Sequence, residues 1–417
     1  MRGIENILEA VEKYPLLRKY VVVEVATEKN SEIEYLAKRY KNSVVPITGF
    51  YIPKDYTTPK QTLFKARAMQ FMVEKHRENP TENSYVVHYD EESVFTPDNL
   101  ARLIHHLLLN PVDISEGSIS YGLDWNKASL FCRAMESNRP FGCHECYVVM
   151  TSPPPYHLHG SNMVVNQRLE NEIGWDIGRF EGNALIAEDL VFGLQAYLKY
   201  GKKAFGWHRA EMIEQPPFTI KAGIKQRERW VFGALQAVNF IQTMPEWKQM
   251  SFTDRAKISS IIYFRVFSFV LGFPISLLSL AVNGFIAFSV GNYLLTGQEF
   301  IEVNNMVSFL SVSGLVMWLG GTQLGLFYNL RYASVSSTGK VVEHIKILLV
   351  TPFAGVVETY GALCAVVKWV SGKRTVVWIP TPKSYVEQPL LAGSLADLEL
   401  LIPKVGKGQL AYYAKKV

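Results

Sequence analysis

Apolar residues at Ile4, Ile7, Leu8 and Val11 recur at the i, i+3, i+4, i+7 spacing of a helix with one buried face. The run Tyr20-Val21-Val22-Val23-Glu24-Val25 then has the apolar density of a buried strand. A second apolar run, 44–52, is interrupted by Pro46 and Gly49, and a charged helix is expected over Phe64 to Glu78. Tyr85-Val86-Val87-His88-Tyr89 reads as a strand that ends in acids. This alternation predicts an α/β layered domain with a mostly parallel central sheet. In such sheets ligands gather beyond the carboxyl ends of the strands, where Asp90-Glu91-Glu92 falls.

Further along, Ser152-Pro153-Pro154-Pro155 marks a loop entering His157-Leu158-His159-Gly160-Ser161. Ala187-Glu188-Asp189 leads into a helix that runs through Tyr200. Pro216-Pro217 breaks the chain before a long helix carrying Gln226-Arg227-Glu228-Arg229-Trp230. From Val266 to Val290, and again from Met306 to Tyr328, the chain carries no charge. Each stretch is long enough to cross a hydrocarbon layer of about 30 Å. The connection between them holds Glu299 and Glu302 but no Lys or Arg, whereas Arg331, Lys340 and Lys346 follow the second span. The positive-inside rule therefore places the globular region and the later loop in the cytoplasm. A third apolar segment, 347–367, contains Pro352 and Glu358 and is followed by Lys368, Lys373 and Arg374. An interfacial helix keeps that basic stretch cytoplasmic and is favoured over a third span.

Composition sharpens this division. The hydrophobic fraction is 48% of 417 residues, and the apolar excess lies beyond about Ile258. A net charge of +5 suits an anionic membrane surface or phosphate-bearing substrates, and no basic tract points to nucleic acid. Four cysteines are too few for a disulfide scaffold. Zinc at Cys143 and Cys146 needs two further ligands, and only Cys132, His157 and His159 lie nearby in sequence, so reduced cysteines beside a strand are favoured. Neither clear span contains an ionisable residue, which argues against an ion or solute carrier.

The acids carry the candidate chemistry. Asp90 and Glu92, at a strand end, could hold Mg2+ or Mn2+ together with phosphate oxygens, although such triplets are often only solvated. Asp189 could deprotonate a hydroxyl, or could simply cap a helix N-terminus. Arg229 can pair with a diphosphate and Trp230 can stack on a sugar, or both could anchor an amphipathic helix at the membrane surface.

Their joint order resembles the family 2 glycosyltransferases, and within them the Egghead-type β-1,4-mannosyltransferases. The likeness rests on Asp55-Tyr56-Thr57, Leu63 to Gln70, Val87 to Ser93, Gly160-Ser161 with Val164-Val165, and Ala187-Glu188-Asp189. It continues through Glu211-Met212, Pro217-Phe218-Thr219, Gln226 to Trp230, and Trp378 with Thr381-Pro382-Lys383. The resemblance implies a GT-A fold, inverting transfer, Asp189 as catalytic base, and a metal and diphosphate motif at Asp90 and Glu92. It implies that Gln226, Arg229 and Trp230 hold the diphosphate and acceptor, with Glu28 near the nucleoside. Lys65, Glu188 and Ser161 join the donor-site candidates. GDP-mannose is the favoured donor, a UDP-sugar the alternative, and a glycolipid or saccharide the acceptor.

The expected layout is a cytoplasmic GT-A domain over 1–243, a membrane region over 244–370 and a cytoplasmic tail over 371–417. The opening strand of a GT-A fold has no counterpart before the first helix, and the sequence assigns the tail beyond Lys383 no role. The competing readings are a processive polysaccharide synthase using a UDP-sugar and a non-catalytic membrane protein that binds a nucleotide or cation.

Overall fold

The computed structural model describes residues 2–373, other than 82, 91, 152–154, 156–157 and 299–304, together with a strand at 409–415. Glu91, His157, Glu299, Glu302, Arg374 and the run from Trp378 to Lys383 therefore lie outside the described residues.

The opening pattern is realised as α1 (Arg2–Lys13), β1 (Tyr20–Thr27), α2 (Asn30–Arg39), β2 (Ile47–Tyr51), α3 (Phe64–Glu78) and β3 (Tyr85–Asp90). There follow β4 (Val94–Phe95), α4 (Pro97–Leu109), β5 (Ile114–Glu116), β6 (Ile119–Ser120), α5 (Leu130–Ser137), α6 (Arg139–Thr151), β7 (Met163–Asn166) and α7 (Gln167–Ile173). The domain continues with β8 (Arg179–Phe180), β9 (Asn183–Ala184), α8 (Glu188–Tyr200), β10 (Phe205–Trp207), β11 (Met212–Ile213), α9 (Ile220–Ile241) and α10 (Pro245–Gln249). Three long helices, α11 (Phe252–Thr296), α12 (Asn305–Asn329) and α13 (Ser337–Val370), precede β12 (Gln409–Lys415). Helix starts follow local capping chemistry: Thr96 accepts from Asn99 N with Pro97 at the first helical position, and Thr219 accepts from Ala222 N at the head of α9.

Seven strands pair in the order β10-β5-β7-β3-β12-β1-β2. The central sheet is mixed: four of its six strand pairings are parallel, and β7 runs antiparallel to both β3 and β5. After the excursion through α5 and α6, the chain re-enters the sheet from the carboxyl end of β3. With Val87 opposite Val164 and Tyr85 opposite Asn166, the residues just before β7, Gly160 and Ser161, fall at the Asp90 end. The sheet has no break where β1 and β3 face each other. β12, from the tail, runs parallel between them, with Ala411 opposite both Val22 and Val86.

Alternate residues of β3 face opposite layers. Tyr85, Val87 and Tyr89 pack with Ile4, Ile7 and Leu103 of α1 and α4. Val86 packs with Ala68 and Met72 of α3. By parity His88 and Asp90 share the α3 face. There Trp175 stacks on Phe192 of α8 at 4.1 Å and lies edge-on to His88 at 5.3 Å. Its indole N–H donates to Glu170 Oε1 at 2.7 Å, and Glu170 lies 2.8 Å from His88 Nε2. This cluster ties the helix bearing Asp189 to the strand bearing Asp90.

α11, α12 and α13 contain the three apolar segments, and each is long and apolar enough to cross a membrane. At the end of α12, Asn329 accepts from Tyr121 N (2.7 Å) and donates to Glu136 O (3.0 Å), which joins that helix to the α/β domain.

Phe192 is fully buried within this arrangement. Phe192→Ala is expected to cost about 3–5 kcal/mol of stability, read from the denaturation midpoint of the full chain in detergent. A loss below about 1 kcal/mol would show that the Trp175 stack does not hold α8 in place.

Candidate active site

The carboxyl end of β3 delivers Asp90, and the first turn of α3 delivers Lys65 over the same face. Lys65 Nζ donates to Asp90 Oδ1 at 2.7 Å and to the Gly160 carbonyl at 3.0 Å. Lys65 is 15% exposed and Asp90 39%, so the carboxylate stays within reach of solvent. The approach at Gly160 is close: a Cβ there would stand 3.1 Å from Lys65 Nζ and 3.2 Å from Asp189 Oδ2. Lys65 and Asp189 thus flank a single residue, which the reversed β7 brings to the site.

Asp189 lies in the first turn of α8, but it is not the cap. Ala187 occupies that position without a side-chain hydrogen bond, and Asp189 Oδ1 accepts from Leu190 N at 2.8 Å. Its second oxygen is the one turned toward Gly160. Burial and the neighbouring Glu188 push the Asp189 carboxyl up to about 7; the Leu190 N–H and Lys65 oppose the rise and Asp90 adds to it. Lys65 is held charged: burial works against the ammonium, but Asp90, Glu188 and Asp189 outweigh it. A carboxylate with a near-neutral pKa suits a general base at physiological pH.

α9 brings the second cation. Gly233 lets this helix press on the head of α8, since a Cβ there would be 2.7 Å from Ala187 Cβ. Arg229 then lies within the electrostatic reach of Glu188 and Asp90, which counter the loss of solvation around its guanidinium. Gln226 is buried and accepts from Arg227 Nη1 at 2.6 Å. The guanidinium carbons of Arg139 and Arg227 lie 4.4 and 4.5 Å from the Trp230 ring centroid.

The remaining candidates are more scattered. Glu28 leaves the carboxyl end of β1, on the same side of the sheet as Asp90, and is paired with Arg67 Nη1 at 2.5 Å. Arg67 also donates to the Tyr56 and Pro53 carbonyls, which fixes Glu28 at the rim. Ser161 is buried, with its hydroxyl donating to Glu214. Glu92 is half-buried in the turn after β3.

Cys143 and Cys146 lie on α6, with Cys143 Sγ against the backbone of Ile119 in β6. Cys146 Sγ is 3.6 Å from His159 Nε2, and all four cysteines are free. Among the described residues no three His, Cys, Asp or Glu side chains converge to hold a metal ion by themselves. The half-buried strand-end carboxylate of Asp90 is nevertheless a hard oxygen donor, and it already takes a cation, the Lys65 ammonium. That chemistry fits Mg2+ or Mn2+ shared between one or two carboxylates and substrate phosphates.

Arg227, Arg139, Glu136 and Glu358 were not legible as site residues. The only signal was an acid, Glu358, in an otherwise apolar segment.

The profile of the glycosyl transferase family group 2 matches residues 85–319. The beta-1,4-mannosyltransferase egh of Drosophila melanogaster is 27% identical over 195 residues, covering 46% of this chain and 42% of that protein. The beta-1,4-mannosyltransferases bre-3 of Caenorhabditis elegans and Caenorhabditis briggsae are each 28% identical over 190 residues, 45% of this chain and 41% of theirs. The matched stretch thus spans less than half the length of these relatives.

If Asp189 must be ionised to act, the pH profile follows from its surroundings. Turnover should fall on the acid side with an apparent pKa of about 7, because protonation removes the base. Lys65 lowers the Asp189 pKa, so Lys65→Gln should move that limb to higher pH. A shift to lower pH would contradict the assigned geometry.

Proposed function

The chain belongs to the glycosyl transferase family group 2, and on that premise we propose that it is an inverting, membrane-anchored glycosyltransferase with Asp189 as its base. The observation that carries this reading is the placement of one near-neutral carboxylate, Asp189, beside a cation, Lys65, at the ligand-binding end of the sheet. Sugar transfer from a nucleotide needs both: a proton acceptor for the incoming hydroxyl and positive charge for the departing diphosphate.

In the step proposed, the acceptor oxygen attacks the anomeric carbon as the bond from that carbon to the diphosphate oxygen breaks. The electron pair leaves with the nucleotide diphosphate, and the acceptor proton passes to Asp189 Oδ2. Asp90 and Glu92 would hold Mg2+ or Mn2+, whose charge when bound helps neutralise the leaving group. Lys65 and Arg229 supply fixed positive charge from the protein at the same place. Glu28, anchored by Arg67 at the rim, stands on the side from which the nucleoside would enter. Gln226 and Trp230, one helical turn apart on α9, are assigned to the diphosphate and the acceptor sugar.

GDP-mannose is the favoured donor, supported by the similarity to proteins named as beta-1,4-mannosyltransferases. A glycolipid or saccharide at the membrane face is the acceptor. The distribution of Lys and Arg around α11 and α12 supports a cytoplasmic catalytic domain.

The test uses membranes containing the full chain, a panel of GDP- and UDP-sugars, and Mn2+ or Mg2+. One donor, with GDP-mannose expected, should release nucleotide diphosphate and transfer its sugar, and a chelator should suppress both. Asp189→Asn should lower transfer by about 100-fold or more while donor affinity is retained. Undiminished transfer by that variant would overturn the assignment of the base.

A further inference from the structure

An acid within an apolar helix calls for a partner, and Glu358 of α13 has one in the α/β domain. Its Oε1 accepts from Arg227 Nε (3.2 Å) and Nη2 (3.1 Å). The same guanidinium donates through Nη1 to Glu136 of α5 at 2.7 Å and to Gln226 at 2.6 Å. Arg227 is fully buried, as is Glu136. α13 reaches this point because residue 361 is glycine: a Cβ there would stand 2.6 Å from the Ile224 carbonyl and 2.9 Å from Arg227 Cβ.

We propose that Glu358 is a positioning residue for the transfer reaction, acting through Arg227 to fix Gln226 and Trp230 on α9. The proposal rests on the glycosyltransferase reading above. Arg227 is suited to this because it touches both residues at once, one by hydrogen bond and one through the indole ring at 4.5 Å. Arg139, whose Nε lies 3.9 Å from Glu136 Oε2, adds a second guanidinium to the ring at 4.4 Å. Two acids and two arginines thus balance around one tryptophan. Buried charge groups are expensive to desolvate and add little net stability, so their directional hydrogen bonds matter more here than their strength.

α13 is braced elsewhere along the same domain. Near its start, Glu343 accepts from Arg133 Nη1 (2.7 Å) and from the Trp125 indole N–H (3.1 Å). Near its end, Lys368 pairs with Glu228 of α9. From Glu343 to Lys368 the helix advances about 37 Å, and both ends meet one domain. A helix held this way runs along the domain face, and its middle also packs on α11 and α12, with Gly272 against Thr359 and Gly355 against Trp318.

The experiment uses the purified full chain in lipid nanodiscs with GDP-mannose, Mn2+ and a saccharide acceptor. Glu358→Gln keeps the shape and removes the charge. It should lower kcat/KM for the acceptor by about 10- to 100-fold, with a smaller rise in the donor KM through Gln226. Glu343→Gln cuts a different brace of α13 and touches no residue of the Gln226–Trp230 turn. It should lower the melting temperature yet leave kcat/KM for the acceptor near wild type. Wild-type acceptor kinetics in Glu358→Gln would overturn the proposal. So would equal losses for donor and acceptor that track the melting temperature in both variants, since that is the signature of a brace alone. If the wild-type chain itself turns over no donor in the full panel, the transferase reading fails instead.

Discussion

Three carboxylates from two elements, Asp90, Glu188 and Asp189, act on a single ammonium, that of Lys65. Like charges this close resist being ionised together, and the resistance is relieved only where a cation sits among them. Lys65 does so incompletely. It is bonded to Asp90 and Gly160, and Asp189 is left with a near-neutral pKa. The site is therefore prepared for added positive charge and for a proton arriving at Asp189. Both requirements match a reaction in which a diphosphate leaves as a hydroxyl is deprotonated.

The fold serves that arrangement. β3 presents Asp90 at its carboxyl end, α3 crosses the same face with Lys65 at its start, and the stacked Trp175 and Phe192 hold α8 against them. The reversed strand β7 contributes the loop before it, so Gly160 lies closely between Lys65 and Asp189. α9 completes the ring from below, bearing Arg229 toward the acids and Trp230 toward the paired arginines. β12 closes the sheet between β1 and β3, so Glu28 and Asp90 emerge at the same edge.

Much of this was readable in the sequence because it depends on local pattern. The α3 helix from Phe64 to Glu78 and the α8 helix through Tyr200 stand where periodicity puts them, and β3 ends in Asp90 as expected. The direction of β7 was not readable. A four-residue strand carries no directional signal, and its orientation is set by the excursion through α5 and α6. That Asp189 is not the helix cap also needed coordinates, since the cap position falls two residues earlier, at Ala187. Arg227 was hidden for a different reason: it occupies a variable position of the Gln-x-x-Arg-Trp pattern, and its partner Glu358 lies 131 residues away. Nothing local to β12 says that a short tail segment joins the middle of a sheet.

The central claim is a single displacement assisted by one base, Asp189, and stereochemistry tests it most directly. A one-step attack opposite the leaving diphosphate inverts the anomeric carbon, so an α-configured sugar nucleotide must yield a β-linked product. Proton NMR of the first-formed product, before any anomeric equilibration, reads that configuration. A β linkage is the expected result. An α linkage would contradict the account, because retention requires a second displacement or a different arrangement of nucleophile and base.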